Sequence, residues 1–371
     1  MMKKIMVTAA VLLCCAEPVC AGEWSYEVMG KAKMLYGYSD IDARYSKNQS
    51  RHHMPSRFNA NFMTQYSFDS GYQLGLYLDL QYGIDQKIKD YNQGSWGEQV
   101  YAVADSPYGR LIVGQSYNAA YQLAVGAPDA GVLGVNQSDV TNFITNPDWQ
   151  RSRRITSYRT LNSTDINTDG TAAKVTYITP EINNTMLGFS FVPDSYSRDG
   201  LINKHSSYRN KEGYIASLYH SEELSDVTIS ASLGAAHFED IDNEVSAGLS
   251  LYYRGWTLGG GYRQTFVGHK DADMNAPIRT GGEFFDGFRD AYAYNVGLGY
   301  EIGPFKTALT YFYSKADDRS YEDKIIQFSG RYQYDKYLEF YGAVAHGEFD
   351  GSDRENSNQG YAFITGAGVK F

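Results

Sequence analysis

The sequence predicts an all-β fold, a transmembrane antiparallel β-barrel of sixteen strands. Three observations predict it. Apolar and polar residues alternate with period two in segment after segment. No apolar stretch beyond residue 21 approaches the length a membrane-spanning helix needs. The connections alternate short and long along the chain. Such alternation turns one face of a strand to lipid and the other to water, and the 33 Tyr, 18 Phe and 37 Gly among 371 residues suit that architecture. Helical periodicity is missing over any long window.

Residues 1–21 read as a cleaved signal peptide. Lys3 and Lys4 precede the apolar run Ile5 to Ala16, and Val19-Cys20-Ala21 has signal-peptidase spacing, with cleavage expected before Gly22. All three cysteines, Cys14, Cys15 and Cys20, lie in this leader. Residues 22–371, a single barrel domain, therefore have neither a disulfide nor a thiolate metal site. The formal net charge of −10 argues against nucleic acid as a partner.

Strands are expected at 24–38, 57–68, 72–82, 98–105, 110–116, 172–179, 185–192, 213–221, 226–238, 244–253, 256–266, 291–301, 305–314, 324–334, 337–347 and 360–371. In the second, Phe58, Ala60, Phe62, Tyr66 and Phe68 alternate with Arg57, Asn59, Asn61 and Gln65. In the third, Tyr72 and Tyr82 bracket Leu74, Leu76, Leu78 and Leu80, an apolar band between two aromatic girdles. The ninth alternates Val227, Ile229, Ala231 and Leu233 with Thr228, Ser230 and Ser232, and the twelfth alternates tyrosines and aliphatics with Asn295, Gly297 and Gly299. The pattern of 98–105 and 337–347 leaves their outward face open. Short connections such as Asp69-Ser70-Gly71, Arg254-Gly255 and Asp335-Lys336 suit tight hairpins. Long ones such as 39–56, 83–97, 193–212 and 267–290 are rich in Asp, Asn, Ser and Lys, the extracellular side of such a barrel. The last strand carries apolar residues at every second position back from Phe371, among them Phe363 and Val369.

No enzymatic constellation emerges. His205-Ser206 and His220-Ser221 are neighbours in sequence, which is not triad geometry. His52-His53 has no further ligand at metal spacing, and no nucleotide fingerprint occurs. Neither cofactor nor metal is expected.

Four segments stand out by their order and spacing. Gly30-Lys31-Ala32-Lys33 lies in the first strand, and Ser56-Arg57-Phe58 is followed by Asp69-Ser70-Gly71. Tyr108-Gly109-Arg110-Leu111-Ile112-Val113-Gly114-Gln115 and Lys174-Val175-Thr176-Tyr177-Ile178-Thr179-Pro180 come next. On these the chain resembles the Gram-negative general porin family along essentially its whole length past the leader. The resemblance implies an outer-membrane homotrimer of sixteen-stranded barrels that passes small polar solutes and ions, in contact with lipid, lipopolysaccharide and the outer-membrane assembly machinery. It also implies an inward-folded loop three, which must lie at about 117–151, the longest connection. In the family, acids on that loop face basic wall residues. Pore-facing parity places Lys31, Lys33 and Arg57 on the wall, and Arg154 and Arg159 resemble further wall arginines. The candidate acids are Asp129, Asp139 and Asp148. With both signs at the constriction, weak ion selectivity is expected, tilted to cations by the net acidity. Phe363, Val369 and Phe371 resemble the terminal assembly signal. The loop departs from the family's acidic P-E-F-G-G type, with Ala127-Pro128-Asp129-Ala130-Gly131 as a loose counterpart, and Glu98-Gln99 stands where many members carry an inward arginine. The alternative is a sugar- or phosphate-selective channel on the same scaffold. It would need an aromatic or arginine track in the lumen, of which the sequence offers scattered Tyr77 and Arg331.

Overall fold

The computed structural model describes residues 22–42, 50–84, 99–135, 140–146, 160–195, 212–239, 242–266, 290–316, 321–351 and 357–371. Their strands are β1 (Gly22–Ile41), β2 (His52–His53), β3 (Ser56–Phe68), β4 (Gln73–Ile84), β5 (Gln99–Ser106), β6 (Gly109–Gln115), β7 (Ala173–Ile178), β8 (Thr185–Val192) and β9 (Gly213–Leu224). There follow β10 (Val227–Phe238), β11 (Asp242–Tyr253), β12 (Trp256–Phe266), β13 (Ala291–Ile302), β14 (Phe305–Ala316), β15 (Glu322–Gln333), β16 (Leu338–Asp350) and β17 (Asn358–Lys370). One short helix, α1 (Ala119–Gln122), sits between β6 and β7.

Each strand pairs antiparallel with its neighbours, and β1 pairs with both β3 and β17, so the sheet closes. Both β2 and β3 pair with β1 and are two halves of one stave, broken at Met54-Pro55, where proline lacks a ladder N–H. The barrel therefore has sixteen staves. Closure satisfies the backbone groups that hydrocarbon leaves without a partner, at several kcal/mol each.

Burial along the strands is inverted relative to a water-soluble protein. Leu74, Leu76, Val175, Phe189, Leu249 and Leu309 are exposed, while Thr176, Ser190, Asn295, Ser314 and Gln327 are buried. The apolar face is the outside. This settles the two faces the sequence left open: Val103 points inward from β5, and Phe340 and Val344 point outward from β16.

Tight turns join the strands at one end. Arg254 (φ 47°) and Gly255 (φ 89°) form the two-residue β11–β12 hairpin, whose backbone twist matches its strands. A Cβ on Gly255 would approach the Glu301 carbonyl oxygen, so glycine is required there by space as well as by φ.

Candidate functional site

The connection between β6 and β7 runs from residue 116 to 172, and its described parts meet the inner face of strand after strand. The Ala119 N–H donates to Ser190 Oγ of β8 at 2.9 Å, and the Val125 N–H to Ser232 Oγ of β10 at 2.9 Å. The Ala127 N–H reaches Asn295 Oδ1 of β13 at 3.1 Å. Gln327 of β15 donates to the Gly134 carbonyl at 3.0 Å, and Asn358 of β17 to the Thr145 carbonyl at 2.6 Å. A return arm, 160–172, retraces this course. The Leu161 N–H donates to Ser314 Oγ of β14, Asn295 Nδ2 to Thr164 Oγ1, and Arg263 of β12 to Asn167 and Thr168. Asn295 thus anchors both arms. The sequence places the end of this loop near residue 151; the arm 160–172 lies beyond that limit and is packed as tightly.

Glycine makes the close seat possible. A Cβ on Gly188 would lie 2.7 Å from Ala119 Cβ, and one on Gly259 would lie 2.6 Å from the Gly126 carbonyl oxygen. On Gly248 it would overlap the Val125 carbonyl. Farther along, Ala130, Val132, Leu133, Phe143 and Ile144 of the connection bury completely or nearly so, in one apolar cluster with Leu35, Phe312 and Tyr341 of the wall. Buried backbone groups must find partners, and here Ser, Asn and Gln side chains on the buried faces of the strands supply them.

Two buried ion pairs fasten the root and return arm. Lys174 Nζ lies 3.0 Å from Asp169 Oδ2 with both side chains fully buried, and Asn118 donates to the same carboxylate. Arg263 pairs with Glu244 at 2.6 Å, again out of solvent.

On β1 the register brings together three of the residues the sequence singles out. Lys31 and Lys33 point inward, and Arg57 of β3 stands directly opposite Lys33. Their environments differ. Lys33 Nζ donates to the carbonyls of Gly131 (3.1 Å) and Val132 and lies 5.1 Å from the Tyr341 ring centre. Lys31 pairs with Glu339 of β16 at 2.5 Å. Lys370 lies 2.7 Å and Arg331 4.0 Å from the same buried carboxylate, which also accepts from the Tyr341 hydroxyl. Three cations around one carboxylate leave the local charge positive. Asp129, on the connection, accepts from the Gly131 N–H at 2.5 Å, beside the segment that Lys33 holds. Asp139, Asp148, Arg154 and Arg159 lie outside the described residues. Phe363, Val369 and Phe371 share the outward face of the last stave, each about half exposed.

Sequence reasoning missed Glu339 and Lys370. Glu339 lies in the stretch whose facing the sequence leaves open. Lys370 was legible: it is the polar residue between Val369 and Phe371, on the parity that points inward.

A profile of the Gram-negative porin family matches residues 7–352. No curated protein sequence matches the chain. Among solved structures, the anion-selective porin from Comamonas acidovorans aligns at a TM-score of 0.61 with 13% identity, covering 94% of this chain and 100% of that one. The trimer form of OmpT from Vibrio cholerae aligns at 0.60 with 11% identity, covering 94% and 99%. A porin of Rhodopseudomonas blastica aligns at 0.55 with 13% identity, covering 94% and 100%.

Proposed function

The chain belongs to the Gram-negative porin family and forms an outer-membrane channel for passive diffusion of small hydrophilic solutes, and from that premise we propose how its pore is gauged. The connection 116–172 is loop three, folded into the lumen and setting its narrowest point. The observation that supports this is its series of hydrogen bonds to inner-face side chains from β8 round to β17. Lys31, Lys33 and Arg57 form the basic side of the constriction, joined by Arg331 and Lys370. Asp129 is on the opposing loop, and Asp139, Asp148, Arg154 and Arg159 complete the set of charges. A lumen with both signs at close quarters orients dipolar solutes and discriminates weakly between ions. The chemistry is passive diffusion.

The channel works as a homotrimer embedded in lipid and lipopolysaccharide. OmpT from Vibrio cholerae, whose fold this chain shares, has a trimer form. Phe363, Val369 and Phe371 are the terminal signal that the assembly machinery reads.

Purified protein in a planar lipid bilayer tests the reading. Insertion in steps of three equal conductances, with a linear current–voltage relation at low voltage, is the expected result. A monomer by light scattering in mild detergent, before any heating, would overturn the trimer. Insertion without conductance would overturn the pore.

A further inference from the structure

Most anchors of the connection described above lie on β1 and on β7 to β17, whereas the inner face of β3, β4 and β5 has a different chemistry. In register across it lie Asn61, Asp79 and Gln99, then Met63, Tyr77 and Tyr101, then Gln65, Gly75 and Val103, then Ser67, Gln73 and Asp105. These rows span about six residues of strand, roughly 20 Å. Tyr77 and Tyr101 stack at 4.7 Å with their planes 24° apart. Gln99 continues the strip: it hydrogen-bonds Asp79 and accepts from the Tyr117 N–H at 3.3 Å. Tyr117 then stacks on Tyr121 at 4.1 Å and 16°. Two tyrosine stacks and a line of amides thus run down one wall.

Beyond Arg57 at the start of β3, charge on this wall is nearly absent or self-compensated. Asp105 is paired with Arg110 at 2.6 Å. Asp79 is 7% exposed, and its Oδ1 has no hydrogen-bond partner. Asn61 Oδ1 is likewise a buried acceptor without a donor. A buried acceptor left unpaired costs about 1–3 kcal/mol and calls for a donor from water or ligand. Both lack donors, so a neutral hydroxyl suits this wall better than another anion.

The geometry points to a binding strip for neutral hydroxylated solutes, short oligosaccharides, on the β3–β5 wall and the adjoining Tyr117–Tyr121 stack. Such a solute offers C–H faces to the tyrosine rings, whose bodies are apolar and whose hydroxyls bond. It offers O–H donors to the amide and carboxylate oxygens and acceptors to the amide N–H groups. The basic cluster around Glu339 of β16 lies across β17 and β1 from this wall and suits ions, so one lumen carries an ionic side and a polyhydroxyl side. The inference rests on the channel reading and narrows its substrate class.

The test is single-channel current through the full protein with maltotriose as probe. Expected are brief, concentration-dependent blocks in the wild type, weakened at least tenfold in the Tyr77→Leu and Tyr101→Leu channels. Tyr77→Phe keeps the ring and should keep most of the block, which separates lost stacking from a misfolded barrel. Asp79→Asn should weaken the block with conductance in salt little changed. A conducting channel that maltotriose does not block, or blocks equally in both leucine variants, would overturn the strip and leave the porin reading standing. Absence of any conductance would overturn the channel reading and the strip with it.

Discussion

Phe371 closes the barrel over Gly30. Each residue's N–H donates to the other's carbonyl, at 2.8 and 3.0 Å, and the phenyl ring lies over Gly30 where any Cβ would collide with it. The ring also stacks beside Phe58 at 6.1 Å. First and last staves are therefore joined at an outward position of β1 that must lack a side chain. Gly30→Val should expel the ring, and deletion of Phe371 should remove the same contact. Both are expected to cut the yield of heat-modifiable oligomer severalfold, while channels that do assemble keep near-normal conductance. Normal yield in both variants would show that this closure is dispensable.

Lys174 and Asp169 are each fully buried and hold one another. Breaking such a pair from one side costs about 3–5 kcal/mol, because a lone charge is left without water. Lys174→Met should lower stability by about that amount, read from urea unfolding of the detergent-refolded protein. The double change Lys174→Met with Asp169→Leu should recover most of the loss, since replacing a buried pair by apolar residues is often neutral.

Arg57 and Asp129 carry opposite signs in the proposed constriction. At physiological ionic strength the Debye length is about 8 Å, so charges at the narrowest point outweigh those on distant loops. Arg57→Gln should move the zero-current potential toward cations and Asp129→Asn toward anions. In molar salt, where screening reaches about 3 Å, both shifts should shrink. Reversal potentials across a salt gradient decide the matter, and no shift at low salt from either variant removes both residues from the constriction.

Lys33 differs from Lys31 although both face inward. Its ammonium is held by the Gly131 and Val132 carbonyls, so its main effect should be mechanical. Lys33→Met is expected to raise open-channel noise and lower the closing voltage, with less change in selectivity than Arg57→Gln. A quiet Lys33→Met channel with a large selectivity shift would reverse these roles.

The strands were legible because period two survives in every stave, as in Leu74 to Leu80 of β4. The face of 98–105 was not, because Ala102 and Ala104 are too small to mark an outside. In 337–347, Phe340 and Tyr341 are consecutive aromatics on opposite faces. Of the proposed constriction, only the wall residues had a sequence signal. Parity turned Lys31, Lys33 and Arg57 inward, whereas a loop seated by hydrogen bonds leaves no periodic trace. Thr164, Asn167 and Thr168 look like any polar loop until Asn295 and Arg263 are brought against them.

The glycine bed under the connection has a consequence for how such a channel changes over time. At Gly188, Gly248 and Gly259 it meets the connection's backbone or its small side chains, and a backbone looks alike whatever residues it carries. Side chains turned from the bed to the passage are under no obligation to the bed. A lineage could therefore exchange its filter one residue at a time while the mounting stays unaltered, and new diets would require no new barrel.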